Sequence, residues 1–313
     1  MTLPNIGLAI AATGGAAPDN AAVERGIARL REQGVTVHNY YDHALLHQRF
    51  GGTDESRLAQ LHAAIADPDV QVVMALRGQY GITRLMPQID FKAIADSGKI
   101  VVGYSDLTAL HMGLFAKTGA LSYAGPMICN DFSDEEWNEY TQQQFWSCLA
   151  GPTHTVRGAA SGNPVVEEEG TIWGGNLAML VSLLGTEWFP TIDGGILFLE
   201  DVAEHPYRVE RMLLQLMQAG VLERQKAIVL GDFSRYKLSP ADNGYDFDEM
   251  LAYMRAKLPV PLLTGLPFGH ISRRATIPFG AKAELTSDAV GFALAIYDYP
   301  TIDLAAERFD QRR

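Results

Sequence analysis

The sequence predicts an α/β fold: an N-terminal open, mostly parallel sheet with flanking helices, followed by a second, mixed α/β part. Three observations carry this. Short apolar runs alternate with segments of helical periodicity through the first half of the chain, the pattern that builds a parallel sheet covered on both faces. Gly/Pro turns separate the two kinds of segment. The composition, 47% apolar and 20% charged, is that of a chain that folds around cores. At 313 residues, the chain is about twice a common domain length, so two domains are expected.

Ile6–Ala11 reads as the first strand. The turn Thr13-Gly14-Gly15-Ala16-Ala17-Pro18 follows, and Val23, Ile27 and Leu30 then fall at helical spacing until Gly34. The turn lacks the GxGxxG spacing, which argues against a dinucleotide site. A second helix carries Leu58, Leu61 and Ile65 and stops at Asp67-Pro68. Val72-Val73-Met74-Ala75-Leu76 is a buried strand that runs into the loop Arg77 to Gly81. Ile100-Val101-Val102 is the next strand, and Leu107, Leu110 and Leu114 mark the helix after it. Between Gly151 and Gly170 the composition turns to Gly, Pro, Thr, Ser and a Glu triplet without clear periodicity, so 151–170 is expected to be a linker between domains at 1–150 and 171–313. Beyond it, strands are expected at Ile196–Leu199 and Ala227–Leu230. The helix between them has the stripe Val209, Met212, Leu213, Leu216 and Met217, and smaller β segments follow Pro259.

Lys and Arg number 25 against 37 Asp and Glu, a formal net charge of −12. Such a field repels nucleic acid and anionic lipid, and neither is an expected partner. The two cysteines, Cys129 and Cys148, are too few for a disulfide framework, lack CxxC spacing, and read as packing residues. No basic residue precedes Arg25, so the short N-terminal apolar run does not resemble a secretory signal. No apolar stretch approaches the roughly 20 residues of a membrane span. The expected location is the cytoplasm.

Gly103-Tyr104-Ser105-Asp106 is the sharpest chemical feature. It sits where a buried strand meets a helix, so a tight turn would expose the serine hydroxyl beside the free amides of the helix N-terminus. Leu107 stands where GxSxG has its second glycine, and a serine that merely caps the helix gives the same pattern. The loop Arg77–Gly81 leaves a neighbouring strand at the same end, the end where open α/β sheets bind ligands. The amides of Gly78 and Asp106 could thus form a two-donor oxyanion hole; an ordinary glycine turn is the competing reading. Of eight histidines, His43 and His47 sit four apart without a carboxylate pattern and read as solvated. His111 lies six residues beyond Ser105 and points away from it. His270 follows the punctuated loop Gly265-Leu266-Pro267-Phe268-Gly269 and is the candidate base. Glu200 ends an apolar strand and is the candidate orienting carboxylate, with Asp201 as close rival.

These blocks carry a family resemblance. Arg77-Gly78-Gln79-Tyr80-Gly81-Ile82-Thr83-Arg84-Leu85, Gly103-Tyr104-Ser105-Asp106-Leu107-Thr108-Ala109, Gly125-Pro126-Met127, Thr171-Ile172-Trp173-Gly174-Gly175-Asn176-Leu177, Leu199-Glu200-Asp201 with His205-Pro206-Tyr207-Arg208-Val209-Glu210-Arg211, and Phe268-Gly269-His270 resemble the serine LD-carboxypeptidases (muramoyltetrapeptide carboxypeptidases), a family that includes the microcin C immunity proteins. The resemblance implies Ser105 as nucleophile, His270 as base, Glu200 as its orienting carboxylate, and the Gly78 and Asp106 amides as oxyanion hole. It also implies a β-rich C-terminal domain, a site between the domains, a homodimer, and no cofactor or metal. The implied substrate is a murein tetrapeptide that loses its terminal D-Ala during cytoplasmic cell-wall recycling; the alternative is a peptidyl-nucleotide antibiotic. Arg77, Arg208, Arg273 or Arg274 would hold the substrate carboxylate, and Trp173 and Asn176 would line the cleft. Gln79 departs from the family, which commonly has a second glycine there.

Overall fold

The computed structural model describes residues 6–159 and 162–303. The first half runs β1 (Gly7–Ala11), α1 (Asn20–Glu32), β2 (Thr36–Asn39), α2 (Asp54–Ala66), β3 (Val72–Ala75), α3 (Phe91–Asp96), β4 (Ile100–Gly103), α4 (Thr108–Thr118), β5 (Ser122–Ala124) and α5 (Glu139–Ala150). The second runs β6 (Thr153–Gly158), β7 (Val166–Asn176), α6 (Leu177–Ser182), β8 (Gly195–Val202), α7 (Pro206–Gln218), β9 (Gln225–Ser234), α8 (Phe247–Lys257), β10 (Leu262–Thr264), β11 (Ile277–Phe279), β12 (Lys282–Ser287) and β13 (Phe292–Tyr297). The fold is mixed α/β, as expected.

One sheet has the order β11-β5-β4-β3-β1-β2, parallel except for β11. Every residue of β1, β3 and β4 is buried, because helices cover both faces of a parallel sheet and leave no strand position in water. Asp19 caps α1 by accepting from the Ala22 amide at 2.7 Å, and the helix buries Val23, Ile27 and Leu30, the predicted stripe. The other sheet has the order β10-β9-β8-β7-β12-β13-β6, parallel from β10 to β7 and antiparallel from β7 to β6. Among the described residues no helix is long and apolar enough to cross a membrane.

Two expectations need correction. The segment 151–170 is not an extended linker: it holds β6 and the start of β7, while its residues 160–161 lie outside the described residues. β6 alternates strictly between exposed and buried positions, but His154 and Gly158 occupy two of the buried ones, so the apolar period does not show in the letters. The assignment of the chain after 171 to the C-terminal half also has an exception. β11 pairs antiparallel with β5 through Ile277↔Ala124, Pro278↔Tyr123 and Phe279↔Ser122, so the C-terminal half supplies an edge strand to the N-terminal sheet. Residues 304–313 of the expected second domain lie outside the described residues.

Candidate active site

β3 and β4 are parallel neighbours, and the loops that leave their carboxyl ends, 77–81 and 104–105, meet over the sheet. At the second of these, Ser105 adopts φ 63°, a left-handed conformation that a serine takes only where its surroundings impose it. Gly103 makes room for this sharp turn, since a Cβ there would stand 2.5 Å from the Leu107 Cδ2. Leu107 thus occupies the space beside the strand end, and the small residue the turn needs is at 103 rather than at 107. A Cβ on Gly78 would lie 2.8 Å from the Ser105 Cβ and 2.9 Å from its Oγ, so only glycine lets the first loop come this close. The loop is fixed from behind: the Gly15 amide donates to the Gly78 carbonyl at 2.8 Å, and the buried Arg57 guanidinium donates to the Gly81 carbonyl at 3.0 Å.

Across the cleft, β8 carries Glu200 and the loop after β10 carries His270. Ser105 Oγ lies 3.0 Å from His270 Nε2, and His270 Nδ1 lies 2.7 Å from Glu200 Oε2. Glu200 is fully buried, and the Asn176 side-chain amide donates to its other oxygen at 3.2 Å. A buried carboxylate accepts only, so Nδ1 carries the imidazole proton and Nε2 presents a lone pair to the Ser105 hydroxyl. Asp201, the rival carboxylate, turns elsewhere. It accepts from the Asn176 amide group and from the Ala178 backbone, both at 2.9 Å, where β8 loses regular pairing with β9 between Leu199 and Asp201. Burial and then the neighbouring Glu200 push Asp201 up to about 6.

Asp106 is buried as well, and its Oδ2 accepts from the Ile82 amide at 2.8 Å, which ties the 77–82 loop to the turn that bears Ser105. Its Oδ1 is buried with no partner among the described residues. Burial pushes this carboxyl up to about 7, against the lowering pull of the Ile82 and Gly81 amides and of Arg57. A carboxyl raised in the fold binds its proton more tightly folded than unfolded, so it costs stability as pH climbs from about 4 through 7. Asp106→Asn removes that cost. Its unfolding free energy should match or trail the wild type at pH 4.5 and exceed it by a few kcal/mol at pH 8, as read by urea denaturation; a difference independent of pH contradicts the assignment.

The remaining sequence candidates divide. Arg77 lines the cleft, a cavity of about 420 Å³ that also includes Gly78, Gln79, Ser105 and His270. The Gln79 side chain lies toward the Gly15 turn, where a Cβ on Gly15 would meet its Oε1 at 2.3 Å. Trp173 does not line the cleft: it is fully buried and donates to Gln225 at 2.8 Å. Asn176 is buried too, with its amide spent on Glu200 and Asp201. Arg208 is exposed on α7, 3.7 Å from Glu204, and is not among the residues lining the cavity. Arg273 lies over the Tyr140 ring at 3.9 Å, and Arg274 borders the cavity but is buried in an ion pair with Asp131. His111 donates or accepts inside the core, at Ser122 and the Gly103 carbonyl, and burial lowers it to about 4. His43 belongs to a single 3-10 turn that ends at Leu45, so it shares no helix face with His47. Both cysteines are free and buried.

Arg235 is a cleft residue that sequence reasoning missed. It follows the end of β9 and lines the same cavity as Arg77, with Nη2 3.4 Å from the His270 carbonyl. The strand-end rule that singled out Glu200 could have found it, but no motif surrounds it.

The profile of the LD-carboxypeptidase N-terminal domain matches residues 8–125, and that of the LD-carboxypeptidase C-terminal domain matches residues 169–285. The crystal structure of a muramoyltetrapeptide carboxypeptidase from Oxalobacter formigenes superposes with a TM-score of 0.91 at 49% identity, covering 94% of this chain and 100% of that one. A probable murein peptide carboxypeptidase of Bacillus subtilis (strain 168) is 31% identical over 275 residues, 86% of each chain. The microcin C7 self-immunity protein MccF of Escherichia coli is 26% identical over 267 residues, 76% of this chain and 77% of that protein.

Proposed function

The chain belongs to the LD-carboxypeptidase family and is a serine-type carboxypeptidase, and from that premise we propose that it releases terminal D-Ala from murein tetrapeptides by hydrolysing the L,D amide bond. The observation that carries the proposal is the hydrogen-bonded line Ser105, His270, Glu200. His270 Nε2 takes the Ser105 proton as Oγ attacks the carbonyl carbon of the penultimate L-centre. The oxyanion that forms is received by the backbone N–H groups of Gly78 and Asp106. Glu200 holds the imidazolium in place, which then gives its proton to the departing D-Ala nitrogen. Water enters the vacated position and attacks the acyl carbon as it loses a proton to His270, which passes that proton to the leaving Ser105 Oγ as the shortened peptide is released. In this scheme an N-terminal domain supplies the nucleophile and a C-terminal domain supplies the base and its carboxylate.

Arg77, Arg235 and Arg274 line the cleft, and since Arg274 is held in a buried ion pair with Asp131, Arg235 and Arg77 are the cations left for a carboxylate-bearing ligand. We assign the terminal D-Ala carboxylate to Arg235, because it stands on the His270 side, where the leaving group departs. Arg235→Ala should raise KM for tetrapeptide about 10- to 100-fold, the worth of a charge-assisted contact, with kcat changed far less. A KM within twofold of the wild type removes Arg235 from the assignment. The family reading also brings a cytoplasmic site of action and a homodimer; light scattering of the full chain checks the second. A peptidyl adenylate is the competing substrate, and a kcat/KM for it above that for tetrapeptide would replace the murein reading with an immunity function.

A further inference from the structure

Arg274 borders the cleft but offers a substrate little surface. It is 2% exposed, and each of its three guanidinium nitrogens has a protein partner: Nε donates to the Gly269 carbonyl at 2.7 Å, Nη2 to the Ile271 carbonyl at 2.8 Å, and Nη1 to Asp131 Oδ1. Gly269 and Ile271 are the two residues that flank His270. One guanidinium therefore grips the backbone on both sides of the candidate base. Its flat face covers the Tyr104 ring at 3.7 Å, and that ring meets His270 edge-on with centroids 5.2 Å apart at 70°. The Arg274 amide donates to Thr141 Oγ1 at 2.8 Å, whose hydroxyl donates to the Ser272 carbonyl. Asp131 comes from the other half of the chain, and the Met127 amide fixes it by donating to its Oδ2 at 2.9 Å.

Burial pulls the Arg274 guanidinium down, but Asp131 and Tyr104 outweigh it and hold the group above the ordinary arginine range. A planar fork that satisfies two carbonyls, a carboxylate and a ring face at once is a geometry only arginine provides. We propose that Arg274, anchored by Asp131, is a positioning residue that holds His270 in line between Ser105 and Glu200, so that a buried ion pair between the halves of the chain assembles the base. The proposal rests on the reading of those three residues as the catalytic set.

The test uses a small, uncharged fluorophosphonate, whose reaction at Ser105 needs the serine–imidazole pair but no carboxylate site. In Arg274→Met the labelling rate and kcat should both fall about 10- to 100-fold, the scale of a misplacement near 1 Å, with KM for tetrapeptide within about threefold. Arg274→Lys should recover only part of the loss, and Asp131→Asn should show the same split. If the Met variant does not fold by circular dichroism, the Lys and Asn variants carry the test. An unchanged labelling rate with raised KM would make Arg274 a substrate contact instead. Unchanged labelling and kcat with only a lowered melting temperature would make the pair an ordinary structural tie. Wild type and Ser105→Ala run alongside: if the wild type resists the label and Ser105→Ala keeps its activity, the catalytic reading itself fails, whereas a labelled wild type with variants equally fast overturns this inference alone.

Discussion

Replacing Ser105 with alanine is expected to lower D-Ala release by at least about four orders of magnitude, the scale seen when a serine nucleophile is removed from a working triad. The variant keeps the binding cleft, the His270–Glu200 pair and the amides of Gly78 and Asp106, so substrate should still bind. What disappears is the atom that forms the acyl bond, and no other hydroxyl in the cleft stands within hydrogen-bond reach of His270 among the described contacts. Ser105 is only partly buried, and alanine meets the same left-handed backbone, so the change in unfolding free energy should stay within about 1 kcal/mol. A steady-state assay of released D-Ala, with a fluorophosphonate label to count active serines, measures both halves of this expectation. Activity within tenfold of the wild type, on folded protein, excludes Ser105 as nucleophile.

Glu200→Gln is the second large effect, about 10⁴-fold in kcat, and it comes from a tautomer rather than from a missing atom. The Asn176 amide group donates to Glu200 Oε1 and needs an acceptor there. A glutamine satisfies it with its carbonyl oxygen, which turns its own NH2 toward His270 Nδ1. That nitrogen must then accept, so the proton moves to Nε2, and Nε2 can no longer take the Ser105 proton. The side chain keeps its volume and stays buried, so the fold should be retained. A loss of less than tenfold would mean that Glu200 does not set the imidazole's tautomer.

The parallel sheet was legible because its strands are buried on both faces and are written as unbroken apolar runs, as in Val72–Leu76 and Ile100–Val102, with Gly/Pro turns between them. β6 was not legible, since two of its inward positions are His154 and Gly158 and an alternation of small and polar residues has the look of a loop. β11 was hidden for a different reason: three residues, Ile277–Phe279, join a sheet whose other strands lie more than a hundred residues earlier, and nothing local announces so distant a partner. At the site, Ser105, His270 and Glu200 could be found because each stands at a strand end or in a punctuated loop. The choice between Glu200 and Asp201 could not be made from order alone. It shows only in the contacts of each carboxylate, and Asn176, which pairs with Glu200 in the β7–β8 register, supports that residue instead of facing the ligand. Arg274 looked like a surface cation in the letters; only its contacts show that it is buried, with each guanidinium nitrogen engaged.

The net charge of −12 set a constraint that the cleft helps to meet. The proposed substrate bears carboxylates and would enter an acidic protein, and Arg77, Arg235 and Arg274 line the cavity while Asp134 is the acidic side chain on its wall. Electrostatic attraction at this mouth should weaken as salt screens it.

Serine-dependent cleavage of one L,D bond is read by mass spectrometry of murein tetrapeptide after incubation with the wild type and with Ser105→Ala. The expected products are tripeptide plus free D-Ala from the wild type, intact tetrapeptide from Ser105→Ala, and nothing from the corresponding pentapeptide, whose terminal bond joins two D-residues. Tripeptide formed equally by both proteins, or D-Ala released from the pentapeptide, would contradict that expectation.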